Sequence, residues 1–182
     1  MTGNKYKFAT AERALAGLDL ELVQEDIETP EIQSTSVEDV ALYSARWASK
    51  DLKSPAFLTD AGIYFEAFDG FPGPFVKYTN KWFSADGYLH LMEGKKNRSV
   101  EIKDCIAFCQ PGKEPKLFIS LVKGRLAEKP GRKGMTPMDE ILIPEGCKTT
   151  LSDMEDEEVF EFWAENMGYW NDFKKYLQKN VL

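Results

Sequence analysis

Histidine is nearly missing from this chain: His90 is the only one among 182 residues. A mechanism needing two imidazoles is excluded, and so is a His-rich metal centre. Any metal here would be a hard ion with oxygen ligands, Mg2+-like in character. Cysteine is scarce and odd in number. Cys105, Cys109 and Cys147 lack zinc-site spacing, and the first two fall in an apolar segment. All three therefore read as reduced thiols rather than a disulfide framework. No apolar run approaches the ~20 residues of a membrane span, and the N-terminus carries no basic-then-apolar leader pattern. A cytoplasmic protein with no membrane partner is expected. Basic charge is also in deficit: 23 Lys+Arg against 30 Asp+Glu give a net charge of −7. Such a surface repels a nucleic-acid backbone, so no nucleic-acid partner is expected. It still admits a small polyphosphate whose charge a metal ion masks. Internal repeats and low-complexity blocks are absent.

What is present supports a folded domain. Hydrophobic residues make up 43% and aromatics 13%, enough for a sizeable core, and the length fits a single domain over residues 1–182, built as two lobes. Lys5 to Ala16 reads as a helix with Phe8, Ala11 and Leu15 on one face. Leu18 to Ile27 reads as a short strand region ending at Glu28-Thr29-Pro30. Thr35-Ser36-Val37-Glu38 has the form of a capping box, opening a helix with Val37, Val40, Ala41, Ser44, Trp47 and Ala48 along one stripe. Ala56-Phe57-Leu58 is a short strand ending in a turn at Thr59-Asp60-Ala61-Gly62, with Ile63 to Phe68 as a continuation of strand. Two prolines and two glycines keep 70–74 out of helices and central strands. Short helices follow over 75–82 and 84–93, with His90 tucked beside the core. In Ser99 to Cys109, Val100, Ile102, Ile106 and Phe108 share one face, and Leu117, Ile119 and Leu121 continue as the partner strand of a hairpin. Ser152-Asp153-Met154-Glu155 predicts a second capping box and one long C-terminal helix. The fold class predicted is α/β, with a mixed sheet and flanking helices.

Three places suit chemistry. Thr2-Gly3-Asn4-x-x-Lys7 puts a glycine turn at a helix start, where free N–H groups and Lys7 suit an anion; an ordinary helix entry is the alternative. Glu31 lies in a loop before a helix, where a carboxylate is either solvated or a metal ligand. Asp60 stands at the expected carboxyl end of a strand. There it is a metal ligand, a general base, or an acid bonded to its own turn. Lys77, opening a helix after the Gly-Pro loop, is a further anion contact or a surface lysine.

In order, these segments resemble the inosine triphosphate pyrophosphatase family: Thr2-Gly3-Asn4-x-x-Lys7, Pro30-Glu31-Ile32-Gln33, Asp60-x-Gly62 and Phe71-Pro72-Gly73-Pro74-x-x-Lys77. Leu91-Met92-Glu93-Gly94-x-x-x-Arg98, Val122-Lys123-Gly124-Arg125 and Asp139 to Pro144 with Gly146 complete the match. The resemblance implies a two-lobed α/β fold with the nucleotide in a cleft between lobes, and a homodimer. It implies Mg2+-dependent hydrolysis (Mn2+ as a possible substitute) of nucleoside triphosphates such as ITP, dITP and XTP to the monophosphate and pyrophosphate. Carried over by residue, Thr2, Gly3, Asn4, Lys7, Lys77 and Asp139 would bind substrate. Glu31 and Asp60 would hold the metal, and Asp60 and Lys7 would be catalytic.

The chain also departs from the family. Thr59 stands where an acid precedes the Asp60 position, and Ala61 replaces a Ser or Thr. Tyr43 replaces a helix lysine, with Arg46 one turn on. The aromatic-Gly-x-Asp loop beside the base reads Thr136-Pro137-Met138-Asp139. The Ser-His-Arg signature reads Trp163-Ala164-Glu165, and a nearby lysine is Val159. The apolar strand that precedes Thr-Gly-Asn in the family is represented by Met1 alone. Most losses fall on groups that read the base, so two readings stand: a pyrophosphatase with altered base recognition, or a non-catalytic relative that binds nucleotide or protein.

Overall fold

A computed structural model describes residues 5–30 and 32–182. Thr2, Gly3, Asn4 and Glu31 lie outside them. In chain order the elements are α1 (Lys5–Leu15), α2 (Val37–Leu52), β1 (Ala56–Phe65), β2 (Pro72–Gly73), α3 (Val76–Trp82) and α4 (Ala85–Leu91). Then come β3 (Ser99–Cys109), β4 (Lys116–Leu126), β5 (Leu142–Pro144), α5 (Asp156–Asn166) and α6 (Tyr169–Asn180). The architecture is α/β, as the sequence predicts. The five strands form one sheet in the order β2-β1-β3-β4-β5. The outer pairs β1–β2 and β4–β5 are antiparallel. The proline-bearing β2 sits at an edge, where a missing N–H costs no ladder bond.

The chain divides into two compact units. One comprises residues 1–60, 104–120 and 167–182, and the other 61–103 and 121–166. In the first, α1 buries Ala11 and Leu15, and α6 buries Tyr169, Trp170, Phe173 and Leu177. These meet Ile106 and Phe108 of β3 in an aromatic cluster, with Phe173 ring centroids 5.2 Å from Phe57 and 5.3 Å from Phe118. The stripe of α2 is as read, with Ala45 and Ser49 buried as well. In the second, Phe65, Tyr88, Met92, Val100, Ile102, Leu126, Ile141 and Leu142 form the core. The Tyr88 hydroxyl lies 2.7 Å from Thr79 Oγ1 and 3.0 Å from Asn80 Oδ1, so its burial leaves no phenol unpaired.

Several expectations are corrected. Leu18–Ile27 has no strand assignment. Leu18, Leu20 and Leu22 do lie on the aromatic cluster, but alternation reports an extended chain, and a strand also needs an edge to pair with. The α2 cap is Ser36, one residue later than read: its Oγ accepts from Asp39 N at 3.1 Å, and Ser34 Oγ donates to the Asp39 carboxylate. His90 is exposed and pairs with Glu93 at 3.0 Å instead of tucking into the core. The predicted C-terminal helix is two helices, broken at Met167-Gly168. Gly168 favours a break, and Asn166 Nδ2 donates to Phe162 O at 2.9 Å, taking a carbonyl at the end of α5. Nor does Ser152 form a capping box with Glu155. It lies in a short 3-10 turn, Leu151–Asp153, and Glu155 N donates to Glu158.

The correction that bears most on function concerns β1. Thr59-Asp60-Ala61-Gly62 is strand, not turn. The β-branched and aromatic residues on both sides carry the extended backbone through. Gly62 is needed for space rather than for turning: a Cβ there would sit 2.7 Å from the Tyr64 ring. Asp60 therefore stands inside a strand, with fixed backbone on both sides.

Candidate functional site

The sequence-predicted residues Lys7 and Asp60 both belong to the first unit, where Lys7 reaches the main chain immediately before Asp60. Lys7 is on the first turn of α1, and its ammonium donates to the Thr59 main-chain carbonyl at 3.0 Å. That bond joins the helix to β1 immediately before Asp60. The neighbouring strand β3 brings Asp104 and Cys105 alongside. The buried Cys105 thiol donates to the Asp60 carbonyl at 3.5 Å.

Asp104 is a functional candidate that the sequence reading missed. Burial pushes its carboxyl up to about 6; the Lys7 ammonium opposes that rise, and the Asp60 charge adds to it. Cys105 is pushed up to about 12, first by burial and then by Asp60. Burial also raises the Tyr169 phenol, at the start of α6, with Asp104 contributing. Two carboxylates, one ammonium and a buried thiol thus share one electrostatic neighbourhood on adjacent strands. The signal for Asp104 was legible. Val100, Ile102, Ile106 and Phe108 define one face of β3 by alternation, and position 104 falls on that face. An acid in the middle of an apolar register is the informative exception.

The remaining predicted residues lie elsewhere. Lys77 is exposed on the first turn of α3, in the second unit. Asp139, also in the second unit, is occupied by its own turn: its Oδ2 accepts from Thr136 N at 2.8 Å and Thr136 Oγ1 at 2.9 Å. Nearby, the buried carboxylate of Glu140 meets Lys133 Nζ at 2.8 Å. Arg98 is structural, donating to the carbonyls of Leu126 and Ala127. Arg46 pairs with Glu114.

Among the described residues, no three acids, cysteines or histidines converge as a closed metal cage. Of the two acids expected to hold a metal, Asp60 is the one described, a hard carboxylate donor on β1. Such a donor suits an ion such as Mg2+, which is held through one or two carboxylates and keeps several waters. It does not fit a soft-ligand metal, since Cys105 is held as the thiol well above neutral pH.

Comparison with known proteins gives a consistent picture. The model of the Ham1 family matches residues 1–161. The dITP/XTP pyrophosphatase of Methanopyrus kandleri is 37% identical over 157 residues, covering 86% of this chain and 84% of that protein. The dITP/XTP pyrophosphatase of Methanothermobacter marburgensis is 35% identical over 155 residues, covering 85% and 82%. Among solved structures, a HAM1 protein from Coxiella burnetii superposes with a TM-score of 0.82 at 21% identity, over 98% of this chain and 96% of that one. This last likeness speaks for the fold.

Proposed function

The chain belongs to the Ham1 family, and from that premise we propose that it hydrolyses nucleoside triphosphates to the monophosphate and pyrophosphate. dITP and XTP, named for its relatives, are the first substrates to test. The observation that supports this reading most is the grouping of Lys7 and Asp60 through the Thr59 carbonyl, in a chain matched by the family over nearly its whole length.

The chemistry follows from the charges. Lys7 draws the polyphosphate and offsets part of its negative charge as the leaving pyrophosphate develops. Asp60, fixed on β1, orients a water toward the α-phosphorus and takes its proton. The bond between the α-phosphorus and the α,β-bridging oxygen breaks, and pyrophosphate departs. A divalent ion, Mg2+ or Mn2+, supplies charge shielding and Lewis-acid polarisation when bound, with Asp60 and Glu31 as the residues that would hold it. Base choice is altered in this reading. The tetrapeptide Thr136-Pro137-Met138-Asp139 carries no aromatic ring to stack on a base, and the Thr136 donors are spent on Asp139. Discrimination by a buried polar contact is weakened accordingly.

The test is a panel of canonical and deaminated nucleoside triphosphates with Mg2+ and Mn2+, reading pyrophosphate. The proposal expects turnover of at least one and its loss in Asp60→Asn. No turnover across the panel, or turnover indifferent to Asp60→Asn, overturns it. Nucleotide binding without turnover assigns the chain instead to non-catalytic binding.

A further inference from the structure

We infer that Glu140 is a positioning residue for base recognition: its buried carboxylate holds Lys133 and Gly134, and so fixes the loop that leads into Thr136-Pro137-Met138-Asp139. The inference rests on the proposed pyrophosphatase reading, in which that tetrapeptide stands on the base side; the clamp itself does not.

All of the groups involved belong to the second unit. Residues 131–135 pack little: Arg132, Lys133 and Met135 are exposed, Met135 almost completely. A segment of that kind keeps one shape only if bonds hold it. Two carboxylates do so. Asp153 takes the start of the loop: its Oδ1 accepts from Arg132 N at 2.8 Å and its Oδ2 from Thr150 Oγ1 at 2.9 Å. The backbone comes so near that a Cβ on Gly131 would lie 2.2 Å from Thr150 Oγ1 and 2.5 Å from Asp153 Oδ2. Glu140 takes the other end. Its Oε1 accepts from Lys133 Nζ at 2.8 Å and from Gly134 N at 3.3 Å, and its main-chain carbonyl accepts from Gly131 N at 2.7 Å. Gly134 stands two residues before Thr136, whose N–H and hydroxyl are bonded to Asp139. Clamp and turn are thus consecutive, and the tetrapeptide takes its position from Glu140.

Stability alone does not require an acid at this position. Glu140 is 7% exposed and opens a run, Ile141, Leu142 and Ile143, that is buried throughout. An apolar side chain would pack there without the desolvation that a carboxylate suffers. Exchanging a buried ion pair for well-packed apolar groups is often neutral or better. What the pair supplies is a defined geometry. The Lys133 side chain is 86% exposed, so its bond to Glu140, not packing, ties it down.

The first test needs no substrate. Amide hydrogen exchange is followed in wild type, Glu140→Gln and Lys133→Met. Both variants are expected to exchange ~10-fold faster over residues 132–138, with Leu126 and Leu142 unchanged. Lys133→Arg, which keeps a cation for the carboxylate, is expected to stay near wild type. Should Glu140→Gln fail to fold, Lys133→Met carries the test, because it alters only an exposed side chain. Loop exchange at the wild-type rate, or a rise shared equally by the strand core, overturns the inference.

The second test reads function with a nucleoside triphosphate that the wild type turns over. Glu140→Gln is expected to raise KM ~3–10-fold with kcat within about twofold, the pattern of a lost binding contact. The spread of kcat/KM among purine bases is expected to narrow. Inhibition by inorganic tripolyphosphate, which has no base, is expected to hold at the wild-type level; a merely structural lesion would move it as well. An unchanged KM, or a parallel loss in kcat, KM and tripolyphosphate inhibition, overturns the inference. If the wild type turns over no nucleotide, the pyrophosphatase reading falls and the base role with it, while hydrogen exchange still decides whether Glu140 clamps the loop.

Discussion

The Cys105 thiol on β3 donates to the main-chain carbonyl of Asp60 on β1 at 3.5 Å. The strand bearing the proposed catalytic acid is thereby fastened to its neighbour, and the sulfur is taken out of chemistry. Thiolate is the reactive form of cysteine, and burial with Asp60 nearby pushes this thiol up to about 12. Cys109 is buried too, whereas Cys147 is partly exposed. The expected outcome is an order of modification. Iodoacetamide on the native protein labels Cys147 first and leaves Cys105 unlabelled until denaturant is added. Early labelling at Cys105 would show the strand pair to be open.

The half-buried carboxyl of Asp104 makes a second prediction, about pH. Its folded value of about 6 lies above the ordinary 3.8. Between those values the folded protein binds more protons than the unfolded chain, so stability falls as pH rises through the window. Below about pH 4 the penalty vanishes, and above about 6 it is complete. At ~1.4 kcal/mol per tenfold change in proton affinity, and discounted for partial exposure, it is on the order of 2 kcal/mol. In urea melts from pH 4 to 7, the stability of wild type relative to Asp104→Asn is expected to decline by that amount. A flat or rising difference curve refutes it.

How much of this was legible in the sequence depends on which physical signal each element carried. Helix α2 announced itself, because its burial follows the helical period. The β3–β4 hairpin was legible as two strands and a turn but not in its faces: Ile119 and Leu121, read as the partner strand, are exposed, while Val122 and Leu126 are buried and Phe118 packs on the aromatic cluster. The motif order gave the fold and brought Lys7 and Asp60 forward as a pair. Three things stayed hidden. The Asp60-Ala61-Gly62 stretch has turn composition, yet it lies inside β1, carried through by the strand-forming residues on either side. The break between α5 and α6 lies in a continuous apolar stripe that only Gly168 interrupts. Asp104 stands out in the sequence as an acid on the apolar face of β3, but nothing there tells which charges lie beside it. Composition and spacing cannot report which strand lies beside which, and charge coupling across strands depends on that.

Asp139 gives a third prediction. Its carboxylate accepts from both the N–H and the hydroxyl of Thr136, so it secures its own turn whatever else it contacts. Asp139→Ala and Thr136→Val are each expected to cost ~1–2 kcal/mol in chemical denaturation. The double variant is expected to cost little more than the larger single change, because both break the same bonds. Additive losses would mean that Asp139 has separate stabilising partners.

The motif glycine Gly124 gives a fourth. On β4 it pairs with Pro144 of the edge strand β5, and the two backbones approach so closely that a Cβ would stand 2.7 Å from the Ile143 carbonyl oxygen and 3.2 Å from Pro144 Cα. Those are main-chain atoms of a paired strand and cannot rotate aside, so alanine must push β5 away. Leu142 and Ile143 are buried, and displacing them loosens the core of the second unit. Gly124→Ala is therefore expected to destabilise by ~1–3 kcal/mol, read as a lower urea midpoint, with faster hydrogen exchange at Arg125, Leu126 and Leu142. Gly146→Ala is the control for a turn glycine: its Cβ would meet no atom within 4 Å, but its φ is +85°. Its cost is therefore conformational, about 1 kcal/mol or somewhat more, with exchange in β4 unchanged. If the two variants share one exchange pattern, close strand approach is not what Gly124 is for.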